Sequence, residues 1–196
     1  MVLAAGASTR LGRPKQLVRY DGEPLVRRAA RAAAGAGARP VVVVLGAHAD
    51  LVAPALDGMA RVHVVVHAGW RDGLATSLAA GLRALDAVGA LPGGARPDGA
   101  LLTVCDQPLV DADALGILLA AFGGPGAVVA AAYAGAVGVP AVVGREHLPA
   151  LRTLAGDAGA GRWLRAHPAL VTPVALPQAA VDVDTEDDVA RVITRG

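Results

Sequence analysis

The chain has 196 residues, a formal net charge of +1, 54% hydrophobic residues and one cysteine. That length suits one domain (1–196) with a sizeable core, and the near-neutral charge gives no electrostatic case for nucleic acid or an acidic membrane surface. A lone cysteine excludes an internal disulfide framework and a Cys-rich zinc site, and no apolar run approaches the roughly 20 residues of a membrane span.

In chain order, Met1–Ala5 reads as a very short strand running into a Gly-containing loop. It lacks the basic start and long apolar stretch of a signal peptide, so a soluble, cytoplasmic protein is expected. Glu23 to about Ala36 reads as a helix, its stripe of Leu25, Val26, Ala29, Ala30, Ala33 and Ala34 ended by Gly35 and Gly37. Pro40–Leu45 is a continuous valine run, as in a strand covered on both faces. A short helix over Asp50–Leu56, a strand over Arg61–Val66, a helix over Leu74–Ala87 and a strand over Gly99–Val104 follow. Asp111–Phe122 reads as a helix with acids at its N-terminal end.

Gly126–Tyr133 and Val137–Val143 read as a hairpin about Gly135, Arg145–Leu154 and Gly159–His167 as helices, and Leu170–Leu176 and Ala180–Val183 as strands. Thr185–Ile193 is a last helix, with Thr185 as N-cap and Asp188 at capping-box spacing. Repeated βα units predict an open, mostly parallel sheet with helices on both faces, made mixed by the hairpin. Ligands in such sheets sit at the carboxyl ends of strands. The loops Ala5–Gln16, His67–Gly73 and Cys105–Pro108 therefore draw attention.

The first loop, Leu3-Ala4-Ala5-Gly6-Ala7-Ser8-Thr9-Arg10-Leu11-Gly12-Arg13-Pro14-Lys15, combines small residues with hydroxyls and three cations. Small residues admit a phosphate or base edge to the backbone, and the cations suit a polyphosphate. It is neither a P-loop nor a G-x-G-x-x-G fingerprint. An ordinary solvated basic turn has the same composition.

Leu101–Val104 is an apolar stretch ending in Cys105-Asp106-Gln107-Pro108. A carboxylate at a strand end suits Mg²⁺, which takes one or two acids and completes its shell with water and phosphate; a turn Asp binding its own backbone is the plainer alternative. Cys105 reads as a small packed residue, since no histidine adjoins it. In Val181-Asp182-Val183-Asp184-Thr185-Glu186-Asp187-Asp188, alternation puts Asp182 and Asp184 on one face, where Asp184 could join Asp106 at a metal. Glu186 and Asp187 read as a solvated acidic helix start. His67–Leu78 is a strand end, a glycine turn with Trp70 and Gly73, and a helix start with Thr76 and Ser77, suited to an anion or a flat base. Gly156–Arg162 pairs Asp157 with Arg162 on a flexible loop. The five histidines show no metal-ligand spacing.

Together these residues resemble the MobA-like nucleotidyltransferases, most closely the molybdenum cofactor cytidylyltransferase (MocA-like) branch. The similarity runs in order through Leu3–Gly6 with Ser8, Arg10, Gly12 and Lys15-Gln16-Leu17; Trp70, Gly73, Ser77-Leu78 and Gly81; and Cys105–Pro108. It continues through Gly138, Pro140-Ala141, Gly156-Asp157 with Gly159-Ala160, and Asp182–Asp187. Gly161 stands where that pattern has arginine, and Arg162 follows it; relatives also carry a few residues before the position of Met1.

The resemblance implies an α/β, Rossmann-like nucleotidyltransferase (GT-A-like) fold and Mg²⁺-dependent transfer of CMP from CTP to the phosphate of the molybdenum-bearing pterin, releasing pyrophosphate. A molybdoenzyme maturation partner goes with that activity. Ala4-Ala5-Gly6 is similar to the CTP branch, the guanylyl branch tending to Ala-Gly-Gly. Arg10 and Lys15 would bind the triphosphate and stabilise the leaving pyrophosphate; Asp106 and Asp184 would hold the metal, Asp106 in a catalytic role. Leu3, Ala4, Ala5, Gly6, Ser8, Gly73 and Ser77 would bind the nucleotide, and Asp157 would face the acceptor. Other readings are a different nucleotide or acceptor phosphate, an NAD(P)H-dependent oxidoreductase related to nicotine blue oxidoreductase, or a non-catalytic carrier. The missing G-x-G-x-x-G and ribose-binding acid weigh against the oxidoreductase. A two-carboxylate metal site would be idle in a carrier. The only lysine, both serines and two of the three glutamines fall in these loops.

Overall fold

The computed structural model describes residues 1–89 and 97–193. Its sheet is built from β1 (Val2–Ala4), β4 (Val41–Leu45), β5 (Val62–Val66), β6 (Gly99–Val104), β7 (Val128–Tyr133), β8 (Ala136–Gly144) and β9 (Val171–Ala175). The seven strands lie in the order β5-β4-β1-β6-β8-β7-β9. Strands β5, β4, β1 and β6 are parallel neighbours, β8 is antiparallel to both β6 and β7, and β9 pairs parallel with β7. This is the mixed, mostly parallel sheet expected.

The chain runs from β1 outward through β4 to β5, then returns to place β6 on the other side of β1. The order thus reverses at β1, and the crevice outside such a switch point is where open α/β sheets bind ligands. The strand ends Ala4, Leu45 and Val104 emerge on that one edge, since Ala4 pairs with Leu45 and Leu3 with Val104.

The period-two alternation of the central strands sorts the core onto two faces. Val2, Ala4, Val41, Val43 and Leu45 pack against α1 (Leu25–Gly35) and α4 (Ala112–Ala120). Leu3, Val42 and Val44 pack with Leu78 and Leu82 of α3 (Leu74–Gly89), Leu151 of α5 (Leu148–Arg152), and Trp163 and Leu164 of α6 (Ala160–Ala166). All five residues of β4 are buried, as an unbroken valine run demands. A third, smaller cluster joins Leu11, Val18 and Leu25 to Val183, and to Val189 and Val192 of α7 (Glu186–Ile193). It brings the first loop and the C-terminal acidic segment together.

Local chemistry sets several boundaries. The Asp111 carboxylate accepts the Ala114 backbone N–H at 2.9 Å, capping α4 as its acidic start implied. Thr185 caps α7: the Asp188 N–H donates to Thr185 Oγ1 (3.2 Å) and the Thr185 N–H to Asp188 Oδ2 (2.8 Å). A short α2 (Ala49–Val52) runs into a 3₁₀ turn over Ala53–Leu56, where one helix was expected, because Pro54 stands at the junction.

Three further expectations need correction. Glu23 does not begin a helix: β2 (Arg19–Tyr20) and β3 (Glu23–Pro24) form a two-stranded ribbon closed by Asp21-Gly22, both at positive φ, and α1 starts two residues later. Asp-Gly favours that turn. Ala180–Val183 is not a strand. Pro177 opens a 3₁₀ turn over Pro177–Ala180, and beyond it the Val183 N–H bonds the Asp106 carbonyl (2.9 Å) without forming a ladder. The helix expected over Arg145–Leu154 is confined to Leu148–Arg152, with Pro149 in its first turn.

Asp111→Ala tests the cap: stability should fall by about 1 kcal/mol, read from urea unfolding, with the sheet intact. An unchanged midpoint would mean that the cap contributes nothing.

Candidate active site

Lys15 is held by the first loop's own hydrogen bonds. Ser8, at φ 55°, sits in the left-handed region and turns the chain, its carbonyl accepting from the Leu11 and Gly12 N–H groups. Its hydroxyl oxygen accepts the Lys15 N–H at 3.1 Å. The fully buried Gln16 donates through Nε2 to the carbonyls of Ala4 (2.9 Å) and Gly6 (2.8 Å), and the Ser8 hydroxyl lies 3.5 Å from its Oε1. Gln16 thereby locks the loop to the end of β1, and Lys15 points back over the sheet edge.

There Lys15 Nζ meets two carboxylates. It donates to Asp106 Oδ2 at 2.5 Å and to Asp184 Oδ1 at 2.9 Å. Arg10 Nη2 reaches the other Asp184 oxygen at 2.8 Å, and Arg13 forms a bidentate pair with Glu186. The two arginine pairs are open to solvent and act as weak tethers; the lysine side chain is only 16% exposed, with the acids at 21% and 22%. Asp106 leaves the end of β6 on a stiff support: Arg28 donates to the Pro108 carbonyl, and Gln107 Nε2 donates to the carbonyls of Val139 and Ala179.

These contacts set the ionisation. Burial alone would push the Lys15 ammonium down, but the charges and hydrogen bonds of Asp106 and Asp184 outweigh it and hold it above the usual lysine range. Burial pushes the Asp184 carboxyl up; the hydrogen bonds and charges of Lys15 and Arg10 outweigh this and hold it below the usual range. Asp182 is raised by burial and by the neighbouring charges of Asp184 and Asp106. Burial, followed by the charge of Asp106, pushes the Cys105 thiol up to about 12, so it is a packed, protonated group and not a nucleophile.

Beside this cluster lies a cleft of about 640 Å³. Leu3, Ala4, Ala5, Gly6, Lys15, Gly73, Ser77, Asp106 and Asp157 all line it, so residues from four segments of the chain converge there. Ser8, Arg10 and Asp184 are not among the lining residues: Ser8 is turned into the loop, and Asp184 meets the cleft through Lys15. Trp70 and Arg71 also line it, the Arg71 guanidinium lying 4.4 Å from the Trp70 ring centroid. Gly73 is required by close approach. It adopts φ 109°, and a Cβ there would stand 2.3 Å from the Gly156 carbonyl oxygen. That carbonyl accepts the Ala75 N–H at 3.0 Å, fastening the Asp157 loop to the start of α3.

The roles of Gln16 and Gln107 as loop anchors were not read from the sequence; the one available signal was their rarity beside Lys15 and Asp106. The Trp70–Arg71 stacking had none.

The donor set fits a hard divalent cation. Two carboxylates aim oxygens at one point already taken by a cationic group, and Mg²⁺ binds through one or two carboxylates with phosphate and water. Among the described residues no group of three or more His, Cys, Asp or Glu gathers as a self-sufficient cage.

Comparison with known proteins identifies the family. The sequence pattern of the MobA-like NTP transferase domain matches residues 1–171, and the chain belongs to that family. Membership supports a nucleotidyltransferase, which implies a nucleoside triphosphate and a phosphate acceptor as substrates. The chain is similar to nicotine blue oxidoreductase of Paenarthrobacter nicotinovorans, 34% identical over 98% of this chain and 95% of that one. Among solved structures, Rv0371c of Mycobacterium tuberculosis H37Rv is 31% identical with a TM-score of 0.78, covering 98% of this chain and 96% of that one. A manganese complex of Rv0371C is 28% identical with a TM-score of 0.75, covering 100% and 97%. A nucleotidyl transferase from Methanothermobacter (Mth528) is 25% identical with a TM-score of 0.80, covering 99% and 94%. No helix among the described residues is long and apolar enough to cross a membrane.

Lys15→Met removes the shared cation and should lower stability at neutral pH. Because the folded Asp184 is depressed, its contribution is present above its unfolded value of about 3.9 and is lost as pH falls through the folded one. The raised Lys15 works oppositely, its contribution fading only above the ordinary lysine range. The urea-midpoint gap between wild type and Lys15→Met should therefore be wide at pH 7 and close below about pH 4. A gap constant with pH would contradict the ion-pair account.

Proposed function

We propose that the chain transfers a nucleoside monophosphate, CMP from CTP, to the phosphate of the molybdenum-bearing pterin cofactor. The observation that carries this reading is the pair Asp106 and Asp184 drawn together by Lys15 beside a cleft of nucleotide size. A nonbridging oxygen of the acceptor phosphate attacks the α-phosphorus. The new P–O bond forms as the bond from that phosphorus to the β-bridging oxygen breaks, and pyrophosphate leaves with the electron pair. The nucleophile is already an anion, so the site needs no strong general base; it supplies position and charge neutralisation.

Asp106 and Asp184 would hold Mg²⁺, which when bound supplies Lewis-acid charge neutralisation at the phosphates. A structural relative, Rv0371C, forms a manganese complex, which supports a divalent cation. Arg10 and Lys15 bind the triphosphate and the departing pyrophosphate. The backbone of Leu3–Gly6, with Ser8 bracing its loop, receives the base and ribose together with Gly73 and Ser77. Asp157, fixed beside Gly73 by the Gly156 carbonyl, faces the acceptor. The preference for CTP rests on the Ala4-Ala5-Gly6 form of the loop.

The similarity to nicotine blue oxidoreductase favours a second reading, reduction of a dye-like acceptor by NAD(P)H. It leaves the paired acids without a task, because hydride transfer needs no divalent cation between them.

Asp106→Asn should abolish pyrophosphate release in a screen of nucleoside triphosphates against acceptor phosphates while the protein still folds. Lys15→Ala should cost about 10² or more in rate. Full activity in Asp106→Asn would overturn the metal assignment. With wild type, CTP and Mg²⁺ should give the largest thermal shift among CTP, GTP and UTP. Equal shifts would remove the base preference, and turnover of NADPH with no pyrophosphate from any nucleotide would favour the oxidoreductase.

A further inference from the structure

The cation between Asp106 and Asp184 belongs to the protein itself. Lys15 Nζ takes Asp106 Oδ2 and Asp184 Oδ1, while Arg10 takes the remaining Asp184 oxygen. Two cations, Lys15 and Arg10, pair with the two carboxylates, so both acids have a charged partner without any metal. A divalent ion coordinates oxygen at about 2.0–2.1 Å. Between Asp106 Oδ2 and Asp184 Oδ1 it would meet the Lys15 ammonium, which opposes it by occupancy and by charge.

From this we infer that Lys15 is a placeholder that closes the metal seat to free divalent cations and yields it to a metal–nucleotide complex. This rests on the transfer reading above and adds an order of binding to it. A free cation arriving alone would add its charge beside Lys15 and Arg10 and leave no partner for the displaced ammonium. A triphosphate carrying the metal brings net negative charge and offers phosphate oxygens to Lys15 as it swings off the acids. The lysine then serves twice: it keeps the carboxylates in register in the empty site, and it moves onto the triphosphate in the loaded one. Lysine suits this better than arginine, because its compact ammonium sits on a flexible stem and makes no fixed fork.

The test is Mn²⁺ binding without nucleotide, followed by the electron paramagnetic resonance signal of the free ion. Lys15→Met should bind Mn²⁺ about tenfold or more tightly than wild type, since removing one positive charge leaves the acid pair in excess. Lys15→Arg should stay as weak as wild type, and Lys15→Met with Asp106→Asn should lose the gain. Equal or weaker Mn²⁺ binding by Lys15→Met would overturn the proposal.

A second measurement needs no variant. Lys15 is the only lysine of the chain, so its acylation by an N-hydroxysuccinimide ester can be read by peptide mass spectrometry. Labelling should be slow in the metal-free wild type and should speed up at Mn²⁺ concentrations high enough to force the seat; a rate indifferent to Mn²⁺ would contradict displacement. The two readings fail separately. Pyrophosphate release with no gain of Mn²⁺ affinity in Lys15→Met would leave the transfer standing and remove the placeholder. The gain without pyrophosphate release would do the reverse.

Discussion

Two carboxylates that face one another at the end of a sheet repel unless a cation lies between them. Much of the chain's architecture serves that constraint. Asp106 comes from the end of β6 and Asp184 from a segment near the C-terminal helix, 78 residues later. Lys15 comes from the loop after β1, and these parts meet through the small cluster of Leu11, Val18 and Leu25 with Val183, Val189 and Val192. The Val183 N–H on the Asp106 carbonyl and the Gln16 amide on Ala4 and Gly6 finish the alignment. The apolar contacts bring the segments together; the buried hydrogen bonds decide which way the side chains aim.

The parts of the fold that were legible are those where one local signal decides. The valine run before Leu45 announces a strand covered on both faces, the acids at Asp111 and Thr185–Asp188 announce helix starts, and β6 is bounded as its apolar stretch implies. What was missed depends on competition between segments. The ribbon about Asp21-Gly22 had its turn signal in plain sight but was overridden by the apolar stripe that follows it. At Ala180–Val183 the apolar alternation suggested a strand, but Pro177 and a single hydrogen bond to Asp106 made an extended tether instead.

The same contrast runs through the site. A loop of small residues with three cations pointed to Lys15, an acid at the end of an apolar strand to Asp106, and the alternation over Val181–Asp184 to Asp184. That Lys15 bridges the two acids, and that Ser8 braces the loop without lining the cleft, required three-dimensional contacts between segments far apart in sequence. Nor does the fold alone decide the chemistry. Relatives of similar length include one named an oxidoreductase and one named a nucleotidyl transferase. What separates the readings is whether the acid pair is used.

The most direct measurement is calorimetric titration of the wild-type protein with CTP, with Mg²⁺ present and then with the metal chelated, repeated on Asp106→Asn. If the carboxylate pair holds a divalent cation against the triphosphate, chelation should weaken CTP binding by about tenfold or more, and Asp106→Asn should bind weakly under both conditions. CTP affinity indifferent to the metal in wild type, or equal affinities in wild type and Asp106→Asn, would contradict the account.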